Sequence, residues 1–174
     1  GSYIMHSLID DGNAVKTVGR DAANDIVCDL TISIPILEGE FRGVVHCAGR
    51  AHSIPKTHAE ERAFFDVNVQ GTRNLLNAVE KSSSLPKFFV FISSVAVYGM
   101  EKGILLNEEA ALLAKDAYGL SKIEAENVVL DWCKKKNIIC TILRLPLLAG
   151  SNPPGNLGAM INAIKKGYYF DIAG

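Results

Sequence analysis

Apolar positions along the 174-residue chain recur at two periods. Spacings of three and four mark amphipathic helices, and unbroken apolar runs of roughly four to eight residues mark buried strands. Residues 3–11 read as a helix, with Ile4, Leu8 and Ile9 on one side and Gly12 as its stop. A short strand over 14–18 follows, then an extended segment over 25–30 and a connection over 31–41. The run Gly43-Val44-Val45-His46-Cys47-Ala48 is too short for a helix and reads as a buried strand. Residues 56–82 are predicted helical, with Val67, Gly71, Leu75 and Ala78 as the core stripe. After the breaker Pro86 come a buried strand over 88–93, a long helix over 118–136 and a strand over 138–143. A loop rich in Gly, Pro and Asn covers 150–156, and 157–166 is helical.

Short apolar strands alternating with long amphipathic helices predict an α/β domain, a doubly wound parallel sheet with helices on both faces. Ligands of such sheets sit beyond the carboxyl ends of the strands. Cys47-Ala48-Gly49, Ser93-Ser94 and Leu145-Pro146 all fall at strand ends, so they are expected to converge on one crevice. The length suits one domain, and no internal repeat divides it.

Composition narrows the function. Hydrophobic residues make up 48% and charged residues 21%, with a net charge of -1, as in ordinary globular proteins. That charge gives no basic field for nucleic acid and no polybasic membrane patch. Lys134-Lys135-Lys136, the one local charge run, suits the C-terminal end of a helix. No apolar stretch reaches the ~18 residues of a membrane span. Cys28, Cys47, Cys133 and Cys140 form no CxxC pair. They are expected as reduced thiols of a cytoplasmic protein, with no metal site.

The candidate chemistry lies in Tyr118-Gly119-Leu120-Ser121-Lys122. A spacing of four puts Tyr118 and Lys122 one turn apart on one helical face, which continues as Ala125, Val129 and Trp132. A phenol beside a cation is a proton donor and acceptor usable near neutral pH. The pair alone is weak, and both side chains could simply sit on a solvated rim. Tyr98 and Lys102 repeat the spacing, but Gly99 between them favours a turn over a shared face. His46, inside an apolar strand, reads as a satisfied core histidine, and His52 as a loop residue.

Company strengthens the pair. Val44 to Gly49, Asn68-Val69-Gln70-Gly71-Thr72-Arg73-Asn74-Leu75-Leu76, Phe91 to Gly99, Tyr118 to Lys122 and Leu143-Arg144-Leu145-Pro146 occur in order with suitable gaps. The set resembles the extended short-chain dehydrogenase/reductase family, specifically its NAD(P)-dependent nucleotide-sugar epimerase/dehydratase group. The resemblance covers nearly the whole chain. It implies a catalytic triad of Ser94, Tyr118 and Lys122. Tyr118 would exchange a proton with a sugar hydroxyl or keto oxygen while hydride moves to or from nicotinamide. Ser94 would hydrogen-bond that oxygen, and Lys122 would bind the nicotinamide ribose. Asn68 would link the site to the backbone. Cofactor contacts would come from Gly1, Gly19, Arg20, Asp29, Leu30, Cys47, Ala48, Gly49, Asn68, Ser93, Tyr118, Lys122 and Leu145. Without the resemblance, Ser94 reads as a capping hydroxyl and Asn68 as a polar residue on a solvated helix face.

The same resemblance sets expectations about extent. The family's first strand and Gly-rich turn do not precede Gly1, so about ten further residues are expected there in the intact protein. An intact mass of 18.8 kDa on a folded, active sample would overturn that expectation. A substrate lobe of roughly a hundred residues is expected beyond Gly174. Where NAD-preferring relatives carry an acid after the second strand, Gly19-Arg20 stands here. A guanidinium suits a 2'-phosphate, which leans the choice to NADP over NAD. Asp29-Leu30 resembles the pair that contacts adenine. Val95 and Ala96 stand where dehydratases carry acids, and neither can move a proton. A UDP-hexose 4-epimerase or a 4-keto sugar reductase is therefore expected, acting on a nucleotide sugar as a homodimer. The alternative is a catalytically idle relative that binds the nucleotide as a sensor or scaffold.

Overall fold

A computed structural model describes residues 1–51, 53–100, 103–147 and 155–168. His52, Lys102 and most of the 150–156 loop lie outside the described residues. Helix α1, Ser2–Asp10, opens the chain and is followed by two short strands, β1 (Val18–Gly19) and β2 (Ile26–Val27). Strand β3, Gly43–His46, leads to helix α2, His58–Phe65, a π turn over Asp66–Gln70, and α3, Gly71–Glu80. Strand β4, Phe88–Ser94, ends in a 3-10 turn over Val95–Tyr98. The long α4, Ala117–Lys136, β5, Ile139–Leu145, and α5, Gly155–Lys165, complete the order.

The strands are parallel, as expected of this α/β pattern, and form two ladders among the described residues. One runs β3-β4-β5, with His46 opposite Phe91 and Ser94 opposite Leu145. The other pairs β1 with β2 through Val18 and Ile26. Of the expected strands over 14–18 and 25–30, only Val18–Gly19 and Ile26–Val27 are laddered, through the pairs Val18 with Ile26 and Gly19 with Val27.

The core forms where α3 and α4 cover one sheet face. Phe89 and Phe91 of β4 meet Leu75, Leu76 and Val79 of α3 and Ala125, Val129, Trp132 and Cys133 of α4. Alternation along the pleat puts Phe89, Phe91 and Ser93 on this face, with Cys140, Ile142 and Arg144 opposite them on β5. Coverage of the other face is thinner than expected. On β5, Ile139 and Leu143 stay 70% and 40% exposed, and α1 buries no residue.

The helix expected over 56–82 is interrupted by the π turn at Asp66–Gln70. An inserted residue rotates the following side chains around the axis. Asn68 and Val69 are buried in consequence, whereas Val67, expected in the core, is half-buried. The rest of that stripe, Gly71, Leu75 and Ala78, is buried. Four free cysteines are present: Cys28 and Cys133 buried, Cys47 and Cys140 partly so.

Candidate active site

The site is assembled at the carboxyl ends of β3 and β4 by the first turn of α4. Asp116 caps that helix, its carboxylate accepting from Gly119 N at 2.9 Å. Gly119 is needed for close packing: a Cβ there would collide with Ala114 and approach the Ala96 carbonyl to 3.0 Å. The helix start thereby lies against the turn that follows Ser94.

Lys122 is 4% exposed, unusual for a lysine. Its Nζ donates to the Ile92 carbonyl at 2.6 Å and lies 4.0 Å above the Phe91 ring. Burial pulls its pKa from 10.5 to about 8, with Glu126 opposing the drop. A Cβ on Gly49 would fall 3.1 Å from Asn68 Oδ1 and 4.0 Å from Lys122 Nζ. Glycine therefore lets the loop after β3 pass close to Asn68 and the ammonium.

Asn68 is 1% exposed, not on a solvated face. Its Oδ1 accepts from Arg50 N at 2.7 Å, and its Nδ2 donates to Arg50 O at 3.1 Å and to Ser121 Oγ at 2.8 Å. Ser121 Oγ in turn donates to the Tyr118 carbonyl at 2.7 Å. One side chain thus ties the loop after β3 to the turn carrying Tyr118. The phenol ring is partly buried, 6.0 Å from the Phe64 ring, over which the Arg50 guanidinium stacks at 5.3 Å.

Ser94 is partly exposed and accepts from Ala96 N at 3.2 Å, capping the 3-10 turn. Its capping role coexists with a place at the strand end, opposite Leu145. Ser93 points to the other face, where its hydroxyl donates to Glu126 Oε1 at 2.5 Å. The end of β3 joins this group: Cys47 is partly buried, with burial raising its thiol pKa and the Lys122 charge opposing. Ala48 and Gly49 follow, both exposed. A Cβ on Gly1 would lie 3.7 Å from Cys47 Cβ, so the start of α1 meets the end of β3.

A second group gathers at the β1–β2 corner. Asp29 Oδ1 accepts from Thr31 N at 2.9 Å and Thr31 Oγ1 at 2.7 Å. Those bonds, aided by the Arg20 charge, hold its carboxyl below the usual range. Gly19 O accepts from Cys28 N at 2.8 Å, and the Leu30 carbonyl accepts from Asn74 Nδ2 at 2.7 Å. Gly19, Arg20, Asp29 and Leu30 are thus one corner of the molecule, joined to α3 through Asn74.

His46 is buried and belongs to the core. Thr72 Oγ1 donates its proton to the Asn68 carbonyl at 2.6 Å, so its oxygen accepts from His46 Nε2–H at 2.9 Å. Burial takes the imidazole pKa to about 3. The sequence reading missed two members of the neighbourhood, Glu126 and Arg144. Glu126 stands four residues after Lys122, on the face read as wholly apolar below its first turn, and is buried against Arg144 of β5 at 2.9 Å. The spacing Tyr118, Lys122, Glu126 was the available signal.

Residues 1–173 match the NAD dependent epimerase/dehydratase family, and the chain belongs to that family. It is 31% identical to UDP-glucose 4-epimerase of Vibrio cholerae over 169 residues, 95% of this chain and 49% of that protein. The structure of RMD from Pseudomonas aeruginosa complexed with NADPH matches at a TM-score of 0.60 and 26% identity, over 74% of this chain and 45% of that one. MoeE5 in complex with UDP-glucuronic acid and NAD shares the fold at a TM-score of 0.76 and 21% identity, over 94% and 57%. The chain spans about half the length of the curated relatives that align along most of it. No helix among the described residues is long and apolar enough to cross a membrane.

Proposed function

We propose that the protein is an NAD(P)-dependent enzyme acting on a nucleotide sugar, as a UDP-hexose 4-epimerase or a 4-keto sugar reductase. The observation that carries this reading is Lys122, a buried ammonium one helical turn from Tyr118, with the exposed Gly49 passing beside it. A charge held out of water at such cost is expected where a ligand uses it. Lys122, Asn68, the 47–49 segment and the start of α1 would hold the nicotinamide half. Arg20 and Asp29 would hold the adenosine half. The nucleotide supplies a hydride acceptor and donor when bound.

Tyr118 Oη then takes a proton from the sugar hydroxyl or returns one to the keto oxygen. Ser94 Oγ orients that oxygen, and Lys122 keeps positive charge beside the phenol as it changes protonation. Val95 and Ala96 add no acid, which argues against dehydration. Gly19-Arg20 favours NADP, and the relatives' complexes with NADPH and with NAD keep both in view. Homodimerisation through the helical stretch over 57–82 and α4 belongs to the proposal, supported by Leu120 and Leu130, 41% and 43% exposed on α4.

The test is Tyr118→Phe in the full-length protein with UDP-glucose and UDP-galactose. Turnover should fall by about 10²- to 10⁴-fold with cofactor affinity kept. Turnover unchanged by the substitution would favour the idle, nucleotide-binding relative.

A further inference from the structure

Glu126 is 1% exposed, and every described hydrogen bond of its side chain runs to an element other than its own helix. Ser93 Oγ of β4 donates to its Oε1 at 2.5 Å. Arg144 of β5 clamps it with Nε 3.2 and 3.3 Å from the two oxygens and Nη2 2.9 Å from Oε2. Arg144 Nη1 reaches on, donating to Tyr98 Oη at 3.1 Å and to the Glu108 carbonyl at 2.9 Å, and Tyr98 Oη donates to the Asn107 carbonyl at 3.2 Å. Replacing such a pair by apolar residues of like volume is often neutral or stabilising, so stability alone is a poor reason for a carboxylate here.

Position supplies a better one. Ser93 is the neighbour of Ser94, and Glu126 follows Lys122 by one helical turn and Tyr118 by two. We propose that Glu126 is a positioning residue. Bonded to Ser93 and clamped by Arg144, it fixes the strand end that carries Ser94 against the helix that carries Tyr118 and Lys122. This rests on the functional reading above. The Ser94 side chain makes one described hydrogen bond, to the turn that follows it, so its place relative to α4 depends on β4 being held.

The carboxylate also acts on Lys122 through charge. Facing the ammonium are Glu126 of its own helix, neutral His46 and the Cys47 thiol of β3, and Asn68 of the π turn. The Phe91 ring and Ile92 carbonyl of β4 complete its surroundings. Among them Glu126 is the carboxylate that supports the protonated form.

The experiment uses the full-length protein with its nicotinamide nucleotide, and UDP-glucose and UDP-galactose as probes. In Glu126→Leu/Arg144→Met, kcat should fall roughly 10- to 100-fold, the cost of a small misplacement, while KM and melting temperature stay near wild type. Ser93→Ala, which leaves the ion pair intact, should lower kcat several-fold. If the double variant fails to fold, Glu126→Gln decides. Its upper pH limb of kcat/KM should move to lower pH, because Lys122 loses the charge that holds its proton. Folded variants with kcat within about twofold and an unmoved limb would overturn the positioning role. A wild-type protein that turns over neither these two sugars nor a nucleotide 4-keto sugar with reduced nicotinamide nucleotide overturns the functional reading, whereas an active wild type with unaffected folded variants overturns the positioning role alone.

Discussion

The two groups of candidate residues are built by different means. Around Lys122, side chains far apart in sequence hold one another: Asn68 reaches Ser121, and Glu126 joins Ser93 to Arg144. Those groups are buried, so each unmade bond would be expensive. At the β1–β2 corner, Asp29 bonds Thr31 two residues on, and Asp25 bonds Thr17 across one short turn. Its carboxylates are exposed at Asp25 and partly exposed at Asp29, where water replaces a lost bond at less cost. The first region is rigid by tertiary packing and suits chemistry that needs fixed distances. The second is a surface motif, to which the proposed function gives the choice between similar cofactors.

Substitutions should separate the two regions sharply. The largest effect is expected at Lys122. Lys122→Met should abolish turnover, yet stabilise the ligand-free protein at pH 7 by up to roughly 3 kcal/mol, since a drop from 10.5 to about 8 disfavours the buried charge by that much. The sign follows from linkage: between pH 8 and 10.5 the unfolded chain holds more protons, so wild-type stability rises through that window. Urea titrations of both proteins across it should show the advantage of the Met variant shrinking to nothing. A wild-type curve flat through the window would remove the buried cation from the account.

Asn68→Ala comes next, leaving the Arg50 backbone and Ser121 without partners in a buried place. A loss of about 3 kcal/mol is expected by chemical denaturation, with cofactor binding weakened alongside. His46 should act through acid. Its folded pKa of about 3 lies below the ordinary 6.5, so the unfolded chain takes up the proton first and stability falls as pH drops below 6.5. The contribution approaches about 1.4 kcal/mol per pH unit and should vanish in His46→Gln, read by melting temperature between pH 7 and 4. The smallest effect is at the corner. Arg20→Ala should raise the NADPH KM about tenfold relative to that for NADH, with stability changed by less than about 0.5 kcal/mol.

The pattern of apolar runs placed α4 and β4 each within a residue, because each is long and packs on the face that its sequence marks. The spacing of Tyr118 and Lys122 was equally legible, since four residues on a helix give one face whatever surrounds it. The π turn was not. Nothing in Asp66–Gln70 requires an inserted residue, yet that insertion buries Asn68 and turns it to Arg50 and Ser121. Glu126 interrupts a face otherwise apolar below Lys122, and only the parallel register that sets Ser93 opposite Arg144 gives it partners. Sequence alone thus determined the alternating elements, the residues offered at the strand ends and the pair at the head of α4, all properties of local period and side-chain chemistry. Tertiary structure decided which polar groups are buried and whom they bond, because burial and pairing depend on neighbours that the chain brings together only when folded.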